Sequence, residues 1–171
     1  AILSRGYGRV TKGYREVTPE DDYINVGDEP LQIKLKYPDV VVVVSEDRVA
    51  GIERIRKEHP EVNLIVMDDG FQHRRVKAKV NIIIIDSTNP VDRDHMLPLG
   101  RLRDVRSRLL AAHLFIVTKC PDEMKPLDKR LWHNQLRKIA YQKVFFSNIE
   151  PLDIEPIYDF GDREKPYYSQ Q

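Results

Sequence analysis

The sequence predicts an α/β fold, with a mostly parallel sheet flanked by helices in three layers, on three observations. Apolar runs at residues 40–44, 64–67, 82–85 and 114–117 are continuous rather than alternating, as in strands covered on both faces. Amphipathic stretches separate them, the arrangement that places helices over a parallel sheet. Glycine- or carboxylate-bearing loops follow the runs, as expected where ligands meet the carboxyl ends of parallel strands.

Each element has a local reason. Ile2-Leu3 runs straight into Ser4-Arg5-Gly6-Tyr7-Gly8 and reads as a strand end entering a glycine loop. After the run at 40–44, residues 47–58 carry Val49, Ile52 and Ile55 on one helical side, with Pro60 beyond them. Residues 70–80 are about the minimum for a parallel crossover, are too polar for a good helix and read as a loop. Residues 103–112 place Val105, Leu109 and Leu110 at helical spacing before the run at 114–117. Residues 127–140 do the same with Leu131, Trp132, Leu136 and Ile139, which marks Trp132 as core, before a weaker strand at 144–146. Residues 151–171 mix Pro, acidic and aromatic residues without period and read as a loop or tail, leaving 1–150 as the core of the α/β domain.

The chain has 171 residues, enough to bury a core without staples. Its 28 Lys/Arg against 27 Asp/Glu exclude a polycationic nucleic-acid tail and an acidic disordered tail. The balance is uneven: residues 71–110 hold nine Lys/Arg against four Asp/Glu, which suits an anionic, phosphorylated partner. The lone Cys120 allows no intrachain disulfide, and no apolar run approaches the ~20 residues that span a bilayer. Opening on Ala1 inside a strand suggests an excerpt of something longer.

Chemistry concentrates in three places. Leu64-Ile65-Val66-Met67 ends in Asp68-Asp69, and carboxylates at a strand tip are hard oxygen ligands suited to Mg²⁺ beside a nucleotide. In Val26-Gly27-Asp28-Glu29-Pro30 a carboxylate could accept a proton from an attacking hydroxyl, or Asp28 could cap a helix whose first turn holds Pro30. Arg5, Arg9, Arg74, Arg75, Arg101 and Arg103 supply planar forks that suit phosphate. His73 could relay a proton, bind a metal or hold its loop, and the other histidines lack metal-ligand spacing. Ser4 and Cys120 have no base pattern beside them. Thr118-Lys119-Cys120-Pro121-Asp122 follows a strand but departs from the guanine-reading pattern at two positions, and no G-x-x-x-x-G-K-[ST] or G-x-G-x-x-G occurs. These residues alone leave open a nucleotide-dependent switch or metal-delivery GTPase, or a non-catalytic anion-binding module.

Taken in order, Ile2-Leu3-Ser4-Arg5-Gly6-Tyr7-Gly8-Arg9, Val26-Gly27-Asp28-Glu29-Pro30, Ser45-Glu46-Asp47-Arg48, Asp68-Asp69-Gly70-Phe71-Gln72-His73-Arg74-Arg75 and Leu97-Pro98-Leu99-Gly100-Arg101-Leu102-Arg103-Asp104 form a series. It closely resembles the tetraacyldisaccharide 4′-kinases, the lipid A kinases of Gram-negative bacteria, over residues 1–120 and more loosely beyond. The resemblance implies a P-loop kinase fold and transfer of the ATP γ-phosphoryl to the 4′-hydroxyl of a lipid A disaccharide 1-phosphate. It implies Asp28 as catalytic base with Glu29 beside it, Asp68 and Asp69 on the Mg²⁺–ATP side, and Arg5, Tyr7, Arg48, His73, Arg103 and Asp104 near substrate or phosphate. The family usually has Glu at Asp104 and often Pro at Arg101, so the correspondence is weaker in that loop. It further implies a P-loop upstream of Ala1, a base-orienting His beyond Gln171, and a peripheral enzyme on the cytoplasmic face of the inner membrane, touching its anionic surface. No nucleic acid and no obligate protein partner are expected. The 171 residues alone are expected to be soluble, to bind ATP weakly and to lack activity.

Overall fold

The structure is a computed structural model, and it describes residues 1–89, 106–136 and 139–150. In chain order the elements are β1 (Ile2–Ser4), β2 (Arg15–Glu16), α1 (Tyr23–Val26), α2 (Asp28–Lys36), β3 (Val42–Val44), α3 (Arg48–Glu58), β4 (Val66–Met67), β5 (Ile82–Asp86), β6 (Leu114–Thr118), α4 (Pro126–Leu136) and β7 (Lys143–Phe146). The fold is α/β with mostly parallel strands flanked by helices, as expected. Among the described residues the strands lie in two sheets, ordered β2-β3-β1-β4 and β5-β6-β7, rather than in one. Within the described residues only β2, against β3, runs antiparallel.

The first sheet has the expected three layers. Leu3 and Val43 face α3, where they pack with Ile55 in one wholly buried cluster. Gly51 lets α3 approach, since a Cβ there would sit 3.1 Å from Leu3 Cδ1 and 3.2 Å from Ser45 Cβ. On the opposite face Val42 and Val44 pack with Val17 and Val26, joined by Leu31 and Ile33 of α2. Helix α3 begins where its sequence says it should. Asp47 caps it by accepting from Val49 N at 2.9 Å and Ala50 N at 3.2 Å. The antiparallel β2 carries no apolar run that would announce it.

The second sheet departs from expectation. Ile83 and Ile85 pair with Phe115 and Val117, which pair in turn with Val144 and Phe146, and these side chains share a core with Leu136 and Trp132 of α4. The alternate residues face away: Ile82 and Ile84 are 50% and 69% exposed. The run at 82–85 is therefore covered on one face among the described residues, although its composition suits both. In the first sheet, Leu64 and Val66 are likewise exposed beside β4, the last strand in its order.

Residues 106–111 form a 3₁₀ helix where an α-helix was expected, and residues 103–105 lie outside the described residues. Side chains capture the carbonyls there: the buried Gln142 donates Nε2 to Leu109 O and Ala112 O, and Asn81 Nδ2 donates to Ala111 O. Those bonds satisfy terminal carbonyls that a helix end leaves unpaired. The tail at 151–171 also lies outside the described residues.

At the far end of α3, His59 Nε2 lies 3.0 Å from Glu16 and Nδ1 3.4 Å from Glu61, while Arg54 holds Glu58 at 2.7 Å. Glu16, Glu58 and His59 are close enough to share a metal, but the pairs already present account for the cluster as ion pairs. The Glu16 hydrogen bond raises the His59 pKa, and the nearby carboxylates add to it.

Two outcomes follow from this packing. Leu3→Ala should cost about 2–5 kcal/mol in urea denaturation, because a fully buried leucine leaves a cavity. The His59 contribution should be complete below its ordinary pKa of about 6.5 and fade as pH rises through the higher folded value, so His59→Gln should flatten that part of the stability–pH curve.

Candidate functional site

Parallel register sets the site. β1 pairs with β3 as Ser4↔Val44 and with β4 as Leu3↔Met67, so three strand tips end side by side. The ladder continues one residue past the strands, with Ser45 N donating to Ser4 O at 3.0 Å and Asp68 N to Leu3 O at 3.0 Å. Ser4, Ser45 and Asp68 therefore meet at one end of the sheet. Ser4 Oγ donates to Asp68 Oδ2 at 3.2 Å, a contact between residues 64 positions apart. Asp69 follows with φ +45°, in the left-handed region that non-glycine residues seldom occupy. That turn displays its carboxylate at the surface next to Asp68. Gly70 closes over Met67, whose Cβ would lie 2.8 Å from a Cβ at 70.

Arg48 enters from the first turn of α3. It is 2% exposed, with Nη1 donating to Ser45 O and Nη2 to Asp68 O at 3.4 Å. Its Nε is buried without a hydrogen-bond partner. Burial lowers its pKa, while Asp68 and Asp69 oppose that shift and Arg5 reinforces it. His73 sits half-buried in the turns after Gly70. Burial pushes its pKa down, as do the charges of Arg48 and Arg5, against Asp69 and Asp47. Arg5, Arg48, His73, Asp68 and Asp69 thus form one electrostatic group. Arg75 reaches Asp47 at 3.7 Å on the surface beside it.

The Asp28 side joins this group through the backbone. Gly27, with φ +93°, is the N-cap of α2, so the helix starts at Asp28 itself instead of using Asp28 as its cap. Both Asp28 and Glu29 stand exposed in the first turn, and Asp28 Oδ1 accepts from Glu29 N at 2.9 Å. Gly27 abuts the opening loop so closely that a Cβ would lie 3.1 Å from Gly6 Cα and 3.3 Å from Tyr7 O. Gly6 N in turn points to Ser4 Oγ at 3.4 Å. Tyr7 stands 88% exposed on that loop. A continuous path of contacts therefore runs Asp28–Gly27–Gly6–Ser4–Asp68. Arg103 and Asp104 lie outside the described residues.

Sequence reading missed two contributors. Ser4 lacks any nucleophile pattern, yet it hydrogen-bonds the strand-tip carboxylate. Glu46 is an acidic residue at a strand–helix turn, and its 2.6 Å pair with Arg9 depends on residues 37 positions apart meeting. No local spacing signals either contact.

Fold and site together define an α/β protein with carboxylates and cations gathered at the carboxyl ends of its parallel strands. Comparison with known proteins narrows this class. Residues 1–158 match the family model described as tetraacyldisaccharide-1-P 4′-kinase, and the chain belongs to that family. It is 41% identical over 173 residues to the tetraacyldisaccharide 4′-kinase of Porphyromonas gingivalis, covering 100% of this chain and 46% of that protein. It is 38% identical to the corresponding enzyme of Phocaeicola vulgatus, over 95% of this chain and 45% of that protein. The chain thus spans somewhat under half the length of these relatives. A crystal structure of LpxK from Aquifex aeolicus in complex with ATP superposes with a TM-score of 0.61 at 33% identity, over 68% of this chain and 37% of the other.

The electrostatics make a direct expectation. By NMR, His73 should titrate below the ordinary histidine value of about 6.5, and Arg48→Gln should move its pKa upward by removing a neighbouring cation. Added inorganic phosphate should also raise it if the cations meet at one anion site.

Proposed function

We propose that this chain is the part of a tetraacyldisaccharide 4′-kinase that supplies the base for the sugar hydroxyl and the carboxylates of the Mg²⁺–ATP side. The observation that carries the reading is the contact path from Asp28 to Asp68 through Gly27, Gly6 and Ser4, which holds both sets of carboxylates on one framework. The family membership and the similarity to an ATP-bound LpxK support the substrate pair.

In this reading Asp28 takes the proton of the 4′-hydroxyl. Its Oδ1 is held by the Glu29 N–H, which orients the carboxylate and leaves the other oxygen for the sugar. The hydroxyl oxygen bonds to the γ-phosphorus, the bond from that phosphorus to the β–γ bridging oxygen breaks, and ADP departs. Glu29 lies beside the base. The donor set of Asp68 and Asp69 is all hard oxygen at a strand tip, which fits Mg²⁺. Such an ion, when bound, neutralises charge on the phosphates. Ser4 steadies Asp68, and Arg48 braces the same turn from below. Arg5 and Arg48 provide positive charge for phosphate oxygens, and His73 offers an imidazole N–H beside them. Tyr7, exposed above Gly27, and Arg103 and Asp104 complete the proposed substrate contacts.

No helix among the described residues is long and apolar enough to cross a membrane. Family membership supports a lipid substrate met at a membrane surface, with the complete enzyme peripheral on the cytoplasmic face of the inner membrane.

The decisive experiment uses the complete enzyme with ATP and a tetraacyldisaccharide 1-phosphate. Asp28→Asn should lower kcat by about 10²–10⁴ while leaving the KM for ATP within twofold, as loss of a general base does. Normal turnover by that variant would refute the assignment of the base.

A further inference from the structure

Beyond the groups assigned to the chemistry, one charged pair is buried more deeply than a surface loop requires. The Arg9 side chain is 2% exposed although it belongs to the loop after β1, while its partner Glu46 is 40% exposed. Arg9 Nη2 donates to Glu46 Oε1 at 2.6 Å and to Gly13 O at 2.6 Å, and Nη1 donates to Thr11 Oγ1 at 3.2 Å. Glu46 Oε2 accepts the Gly13 N–H at 2.8 Å, so the carboxylate grips the same loop a second time. Burying such a pair adds little stability by itself, because desolvation offsets the attraction. Arg9 Nε, buried without a partner, adds a further cost.

The pair's placement supplies its purpose. The Arg9 side chain crosses Gly6 so closely that a Cβ there would lie 2.6 Å from Arg9 Cδ, and Arg9 N donates to Gly6 O at 3.2 Å. Gly6 in turn rests on Val26 and Gly27, directly before Asp28. Val10 N, one residue beyond, bonds Ile24 O at 2.8 Å and ties the loop to α1. At the other end, Glu46 lies two residues before Arg48, whose guanidinium reaches Asp68 O. The pair therefore bridges the base-bearing half of the site and the carboxylate-bearing half.

We propose that Arg9 and Glu46 are positioning residues, a clamp that fixes the Arg5–Tyr7 turn against Gly27 and so sets the lipid sugar relative to Asp28. The proposal rests on the kinase reading. Neither side chain touches the reacting atoms; both act through Gly6, Tyr7 and Gly27.

The test is steady-state kinetics of the complete enzyme, varying lipid and ATP separately. Arg9→Gln should lower kcat/KM for the lipid by about 10- to 100-fold, the scale set by ångström misplacement of a bound substrate, with the KM for ATP within twofold. Glu46→Gln, at a more exposed position, should show the same split more weakly. Arg9→Lys, which keeps the charge but not the fork, should recover only part of the loss. The Arg9→Gln/Glu46→Gln double variant should be no worse than Arg9→Gln alone, because both substitutions break one interaction. A rise in the KM for ATP as large as the loss toward the lipid, additive losses, or full activity in Arg9→Gln would each overturn the clamp. Should Arg9→Gln fail to unfold cooperatively, the lipid-against-ATP split in Glu46→Gln decides. An unsubstituted enzyme that transfers no phosphoryl group defeats the kinase reading instead, whatever the variants do.

Discussion

The parallel register of β1 between β3 and β4 is the constraint on which the rest depends. It aligns Ser4, Ser45 and Asp68 at one sheet end through two backbone bonds past the strands, Ser45 N to Ser4 O and Asp68 N to Leu3 O. A one-residue slip of β1 would reverse its side chains, turning Leu3 away from α3 and Ser4 away from Asp68. Core and site are therefore one decision. The burial of Leu3, Val43 and Ile55 that stabilises the sheet also determines which side chains converge at its tips.

Charge at those tips is balanced within the group. Arg48 is buried, which disfavours its cation, yet Asp68 and Asp69 favour it and the carbonyls of Ser45 and Asp68 accept hydrogen bonds from it. His73 is held toward its neutral form by burial and two arginines. The Glu46 carboxyl shows the same competition. Burial would raise its pKa, but the N–H groups of Glu46 and Gly13 and the Arg9 guanidinium together bring it below its ordinary value. An anion arriving beside Arg5 and Arg48 would meet positive charge already in place, and its own charge would favour protonation of His73.

Much of the fold was legible because burial and periodicity are local signals. Val49, Ile52 and Ile55 announced α3 by their spacing, and Pro60 marked its end. The all-valine run at 40–44 contained β3 with both faces covered. Where such signals were ambiguous, reading failed for definable reasons. Four consecutive isoleucines cannot reveal that Ile82 and Ile84 face away while Ile83 and Ile85 face the core. The helix expected before β6 is a 3₁₀ turn whose terminal carbonyls are bonded by Asn81 and Gln142, from distant segments. β2, two residues long, is held by pairing with β3 and has no pattern of its own.

By itself the sequence determined the α/β class, the helices over the first and second sheets, and the family, because strand runs, caps and motif strings are written in consecutive residues. It also marked Asp28, Glu29, Asp68 and Asp69 as the carboxylates to watch. Only the tertiary structure decided that strands fall into two sheets and that Asp28 opens its helix from a Gly27 cap. It alone joined Ser4 to Asp68 and Arg9 to Glu46. Those contacts span 64 and 37 positions, and they exist only after strand register and loop packing have brought the segments together. Spacing along a chain carries information over a few turns or strands; a hydrogen bond across a sheet end depends on the geometry of the whole.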